Sequence, residues 1–444
     1  MLIYILILGL ILRIIGINQS LWLDEATTAN VLRQFSLPQI VTQFSPGDFH
    51  PSGYYLILKV YSTFLGTSEI ALRSFSVLCG LGTIAVVYHI GKKLGNRSSA
   101  TLAALLMATG PLAIYYSGEV RMYALASLFV SLSVLAFLNI AKKATKFWLV
   151  LFILSSLGSY FTLYPTIFMI PVFLFMAKTK KIYVAHLVIA LVLTFYLPIF
   201  LNQINAGLNT GQAWGEALGA LNFKNLILIP VKFLIGRIGF ESKLVYACFT
   251  LVGAYIYGLG LFKARKHKLL WYWLVLPIVL ASLISIRLAM LSYFRFLFVL
   301  PAFYLLAALG LQKLKSRYFL PAVLAVLFFN LMSALIYLNN DKFYREDWKG
   351  LVKTIKQQTE DVSYKLIFPK NSQMEAVKYY CIECHVGGGE DEVLDNFDQL
   401  WYVRYAVDIV DPSESARSKI EGLGYKKQEE FDFRGVSVWK YTKL

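Results

Sequence analysis

Acidic side chains are nearly missing from the first three-quarters of this 444-residue chain: positions 1–340 hold seven Asp/Glu against 27 Lys/Arg. Positions 341–444 are different, with 19 acids against 16 bases. Charged residues make up only 16% of the whole, well below the roughly 25% of an ordinary soluble domain. Hydrophobic residues reach 57%, and mean hydropathy is +0.59. A water-soluble fold could not hide that much apolar surface, so a polytopic membrane protein is the first expectation. The net charge of +17 lies between apolar segments and forms no basic patch with a reading motif. That distribution argues against a nucleic-acid partner and for the lipid bilayer.

Cysteine is also scarce. Cys79 and Cys248 fall in apolar runs and suit small packing roles. Cys381 and Cys384 form a lone CxxC before His385; without a second pair, this leaves a local disulfide or two thiols ahead of a zinc site. Short repeats and low-complexity tracts are lacking. The first seventeen residues lack a basic leader and a small-residue cleavage site, which makes them a retained first span.

What the chain does have is apolar runs long enough to cross a bilayer core of about 30 Å. Eleven can be placed, at 2–18, 69–91, 98–116, 122–141, 147–162, 163–177, 182–201, 243–262, 269–286, 292–312 and 318–339. With a cytoplasmic N-terminus, the inner connectors carry Lys92/Lys93/Arg97, Lys142/Lys143/Lys146, Lys178/Lys180/Lys181, Lys263/Arg265/Lys266/Lys268 and Lys313/Lys315/Arg317, and no acid. Asp24, Glu25, Asp48, Glu69, Glu119, Glu216 and Glu241 then all face outward. Acids have little topogenic weight, so their one-sidedness points to function. Domain organisation follows: a membrane bundle over 1–340, whose first outer loop is 18–68, and an extracytoplasmic α/β domain over 341–444. In that tail, 347–358 and 413–423 read as helices, and 364–368, 400–405 and 436–441 as strands. Interfacial helices are expected at 26–35, 37–44 and 54–65, and in the second outer segment at 223–240.

The outer loop 22–55 reads WLDEATTANVLRQFSLPQIVTQFSPGDFHPSGYY. An acid beside a span end is costly unless hydrated or paired, which makes Asp24, Glu25 and Glu119 functional candidates. Asp24 could also simply cap a helix starting at Ala26. Glu119 sits in the tight connector 117–121, with Arg121 beside it and Tyr115, Tyr116 and Tyr123 around it. Asp48 reads as a solvated turn residue, and His89 and His186 as structural.

WLDEATTA, DFHPSGYY, the 67–95 run TSEIALRSFSVLCGLGTIAVVYHIGKKLG and YYSGEVRMYAL resemble the polyprenyl- or dolichyl-phosphate-sugar-dependent glycosyltransferases of the protein-O-mannosyltransferase superfamily, which have the GT-C membrane fold. YFRFLFVLPAFYLL and YREDWKGLVKTI suit bacterial members. The resemblance covers most of 18–130, with patches near 293–301 and 344–355. Two departures are Pro51-Ser52-Gly53 where the family has Pro-Pro, and Gly118 where it often has Gln. The first is expected to loosen the loop.

The resemblance implies an integral-membrane, inverting enzyme in which a mannosyl, other hexosyl or pentosyl group leaves a polyprenyl phosphate for a hydroxyl on a glycan, lipid or protein acceptor. Such a site needs a general base, by analogy Asp24. It needs cations for the departing phosphate; candidates are Arg73, Arg121, Arg295 and Lys59. Glu119 would bind sugar hydroxyls, orient an arginine, or share a divalent cation with Asp24, Glu25 and His50, although no full ligand set is defined. Glu25, His50, Tyr55 and Tyr123 complete the substrate-contact candidates. A multi-pass transporter of a lipid-linked or small polar substrate is the rival reading. Transporters, however, place ionisable groups near mid-bilayer in repeated halves, and no such symmetry is visible here.

Overall fold

The computed structural model describes residues 1–360, 362–389 and 396–443, without the side chains of 209–218. Glu216, counted above among the outward acids, therefore lies outside the described side chains. The chain forms two compact units. One comprises Met1–Ile17, Leu37–Leu65 and Ala71–Phe343; the other comprises Asn18–Ser36, Gly66–Ile70 and Tyr344–Leu444.

The first unit is helical. Among the described residues six helices are long and apolar enough to cross a membrane: Glu69–Leu94, Tyr123–Lys142, Lys180–Leu208, Lys243–Lys263, Tyr293–Leu311 and Ser316–Leu338. A seventh span is the pair Arg97–Thr109 and Pro111–Ser117, bent by 58°. Four shorter apolar helices, Leu2–Ile14, Lys146–Tyr160, Tyr164–Met176 and Lys268–Ile284, fall on the remaining runs. The bend has a local cause. Pro111 has no N–H to give the preceding turn and cannot continue the helix. The carbonyls this frees at Met107 and Ala108 accept hydrogen bonds from the buried Arg13 guanidinium at 3.0 and 2.9 Å, so a basic residue within the first helix serves the backbone.

Burial grades across the unit. Every residue of Leu300–Leu311 is buried, as befits a helix apolar all round. Its Gly310 lies so close to Gly260 of Lys243–Lys263 that a Cβ would meet that backbone, the small-residue contact common between membrane helices.

The second unit carries a five-stranded sheet of order β2-β1-β3-β5-β4, with β1 Tyr364–Phe368, β2 Val386–Gly388, β3 Gln399–Arg404, β4 Tyr425–Phe433 and β5 Val436–Lys443. β1 runs parallel to β2 and β3; β5 is antiparallel to β3 and β4. Ile367, Leu400, Tyr402, Ile420, Tyr425 and Tyr441 form its core with Ala416 of the Ser415–Gly422 helix. The unit also includes the Leu23–Gln34 helix, a piece of the first outer loop. That helix starts earlier than expected: Trp22 is its N-cap, and Asp24 and Glu25 occupy its first turn, where the helix dipole favours negative charge.

Candidate active site

In the helical unit, the short segment before Gly53–Leu65 is where predicted residues meet. Asp48 accepts a hydrogen bond from the Tyr55 hydroxyl at 2.9 Å and lies 3.2 Å from His50 Nδ1. On the other edge of the ring, Arg121 Nη2 lies 3.1 Å from His50 Nε2. A guanidinium can only donate. Nε2 must therefore be the acceptor, and Nδ1–H the donor to Asp48. The result is a chain of four side chains, Tyr55–Asp48–His50–Arg121, with the imidazole neutral and its tautomer defined.

The electrostatics agree with that assignment. Burial pushes the His50 imidazole below its ordinary value; Asp48 opposes this, while the charges of Arg121 and Arg295 lower it further. Burial alone would raise the Asp48 carboxyl, yet the hydrogen bond from His50, the charge of Arg121 and the Tyr55 hydroxyl together hold it below the usual range. Asp48 is thus no solvated turn residue; its side chain keeps only 13% exposure. The segment is fixed from the Lys180–Leu218 helix: buried Gln203 donates to the carbonyls of Ser45 and His50 at 2.8 and 2.6 Å, and the Tyr196 hydroxyl accepts from Ser52 N–H at 3.2 Å.

Gly53 explains the family departure differently from the expected loosening. Its N–H donates to the Phe161 carbonyl at 2.8 Å, and a Cβ there would fall onto that same carbonyl. Glycine permits a close approach of Gly53–Leu65 to the end of Lys146–Tyr160, and the loop is tightened by it.

Other candidates are placed as follows. Glu119 is buried, its carbonyl accepting from Ser76 at 2.6 Å. Arg295 donates to the Ala289 carbonyl at 2.6 Å. Tyr123 is buried against Tyr116 and Phe294, with ring centroids 5.2 and 5.3 Å away. Lys59 is half-buried, one turn after Tyr55. Arg73 is buried and donates to the Ile17 carbonyl at 2.9 Å.

Asp24 and Glu25 belong to the other unit. Asp24 is half-buried. Glu25 requires a correction: it has no exposed surface, caps its helix by accepting from Trp22 N–H at 3.4 Å, and lies 3.4 Å from Arg345 Nε. A fully enclosed carboxylate with a cationic partner anchors the helix. Cys381 and Cys384 are joined in a disulfide. His186 bonds the Ile182 carbonyl of its own helix at 2.8 Å and packs on Phe152. Among the described residues no group of three or more His, Cys, Asp or Glu could hold a metal ion, and both nitrogens of His50 are engaged.

Three residues escaped the sequence reading. Asp48 and Gln203 are two. The third is Arg237, exposed, which donates to the Tyr115 hydroxyl at 2.6 Å and stacks over that ring at 4.7 Å. The Glu119 carboxylate is among the groups that favour its charge. The D-x-H spacing of Asp48 and His50 was a usable signal; nothing in the sequence marks Arg237.

The sequence model of the dolichyl-phosphate-mannose-protein mannosyltransferase family matches residues 49–203, the stretch that supplies His50, Tyr55, Glu119, Arg121 and Gln203. A search of curated proteins gives no match. Among solved structures, the chain is similar to apo ArnT from Cupriavidus metallidurans (TM-score 0.61, 12% identity, 99% of this chain and 97% of that one). ArnT from the same organism bound to undecaprenyl phosphate gives 0.58 at 12% identity, again over 99% and 97%. Archaeoglobus fulgidus AglB, an oligosaccharyltransferase in complex with an inhibitory peptide and a dolichol-phosphate, gives 0.56 at 12% identity, over 99% of this chain and 73% of that one. The chain thus shares the GT-C membrane fold of these structures, and over residues 49–203 it is similar to the dolichyl-phosphate-mannose-protein mannosyltransferase family.

Proposed function

We propose that the protein transfers a sugar from a polyprenyl-phosphate donor to an acceptor hydroxyl at the extracytoplasmic face of the cell membrane. The observation that carries this reading is the Tyr55–Asp48–His50–Arg121 chain. As a glycosidic bond to phosphate breaks, negative charge grows on the phosphate oxygens. Arg121 is a donor whose direction is set in advance by a neutral imidazole, itself set by a buried carboxylate. Preorganised cations of this kind stabilise developing charge without reorganising during the reaction. Arg295, whose charge reaches His50, and Arg237 add positive potential in the same helical unit.

Asp24 is the proposed general base, taking the acceptor's proton as its oxygen attacks the anomeric carbon. Direct displacement at that carbon would invert its configuration. Glu119 is assigned to the sugar hydroxyls. ArnT with bound undecaprenyl phosphate and AglB with dolichol-phosphate support a lipid-phosphate donor. The disulfide supports the extracytoplasmic placement of the α/β unit, because such bonds persist in oxidising compartments.

The test is purified protein with a panel of polyprenyl-phosphate sugars, donor consumption being followed by mass spectrometry. One member of the panel should be consumed, with release of free polyprenyl phosphate. Asp24→Asn should abolish that turnover while melting near wild type. A well-folded Asn variant that still turned over would remove Asp24 from the base role.

A further inference from the structure

The Leu23–Gln34 helix, which bears Asp24, is held along its length by the C-terminal residues of its own unit. Before its first turn, the Tyr380 hydroxyl accepts from Leu21 N–H at 2.7 Å and donates to Glu69 at 3.0 Å. Arg345 N–H donates to Gln19 at 3.0 Å, Lys349 N–H to the Ser20 hydroxyl at 3.2 Å, and Lys349 Nζ to the Asn18 carbonyl at 3.1 Å. At the first turn stands the enclosed Glu25–Arg345 pair. Further on, buried Asn30 donates to the Glu375 carbonyl at 3.0 Å and its carboxylate at 2.8 Å. Near the end, Arg33 donates to the Tyr379 carbonyl at 3.0 Å and covers the Tyr379 ring at 3.9 Å.

Most of these anchors come from the Glu375–Tyr380 helix, which is itself braced. Cys381, the residue after Tyr380, is bridged to Cys384, and the Tyr364 hydroxyl of β1 donates to Cys384 Sγ at 3.3 Å. The sheet, the disulfide, Tyr380 and the start of the Asp24 helix thus form one continuous path.

We propose that the C-terminal α/β domain is the scaffold that positions Asp24, with Tyr380 the positioning residue that fixes where its helix begins. This deepens the reading of Asp24 as general base and rests on it. The domain's contribution is then to turnover itself, through the geometry of the base. A carboxylate displaced by about 1 Å from the attacking hydroxyl would lower the rate by up to about a hundredfold.

Tyr380→Phe keeps the ring and removes both hydroxyl bonds, so the full chain in detergent should still fold. Two measurements are made on it: amide hydrogen exchange of 18–34, and kcat and donor KM. Exchange in that segment should quicken, and kcat should fall between about tenfold and a hundredfold with donor KM unchanged. Val438→Ala in β5 serves as a control, because it loosens the sheet core without touching the anchors. It should lower the melting temperature while leaving exchange at 18–34 and kcat in place. Unchanged exchange in Tyr380→Phe, quickened exchange with normal kcat, or the same kcat loss from Val438→Ala would each overturn the proposal. Failure of the underlying base reading is seen separately, as turnover by Asp24→Asn.

Discussion

At the scale of single residues, His50 is the group whose state sets its neighbours. It is held neutral by burial and by the cations beside it, and in that form it accepts from Arg121 while donating to Asp48. Protonation would fill Nε2 and set two cations against each other. Above the ordinary histidine value of about 6.5, folded and unfolded chains both carry a neutral ring, and pH does nothing through this group. As pH falls through that value the unfolded chain takes up the proton first, so stability declines until the folded ring also protonates. kcat/KM should therefore show an acid limb whose midpoint lies below the ordinary histidine value. His50→Gln, which offers Arg121 an oxygen that does not titrate, should lack that limb. A limb persisting unchanged in the Gln variant would assign the titration to another group. His50→Ala should lower kcat/KM about tenfold to a hundredfold, the equivalent of a charge-assisted hydrogen bond of about 1.5–3 kcal/mol.

At the scale of elements, the Gly53–Leu65 helix shows how a family departure can be structural. Gly53→Ala sets a methyl against the Phe161 carbonyl; overpacking of this kind costs about 1–3 kcal/mol. Gly53→Pro would in addition remove the N–H that donates to the Phe161 carbonyl. Both variants should melt lower than wild type by differential scanning fluorimetry, Pro more than Ala. Equal melting of all three would show that the two helices separate here without loss. The same element shows what could be read from the chain alone. The spans were legible because crossing a bilayer fixes both length and composition, and 54–65 because its polar edge is local. Asp48 was misread because its solvent exposure depends on Arg121 and Gln203, which lie far along the chain. The partner of Glu25 was illegible for the same reason: Arg345 is more than three hundred residues away. β4, YKKQEEFDF, went unseen because five of its nine side chains are charged and all five are exposed, as on a guarded sheet edge. Nothing in its pattern alternates.

At the scale of the whole molecule, the function depends on which side of the membrane each unit faces. Five connectors between apolar runs carry at least three Lys/Arg each and no acid, and short basic loops are retained in the cytoplasm. In the proposed topology an odd number of crossings puts the α/β domain on the opposite side, where the Cys381–Cys384 bond would be chemically at home. Exposed lysines allow this to be measured. In a background with Cys79 and Cys248 changed to Ser, Lys427→Cys on β4 and Lys266→Cys in a basic connector each place one thiol on the surface. With a membrane-impermeant maleimide and intact cells, Lys427→Cys should label and Lys266→Cys should not. Permeabilised cells should label both. The reversed pattern would put Asp24 and its scaffold in the cytoplasm, and the extracytoplasmic transferase reading would fall with it. Labelling of both thiols in intact cells would mean an even number of crossings between them, in which case Lys268–Ile284, the short apolar helix between the two positions, does not span.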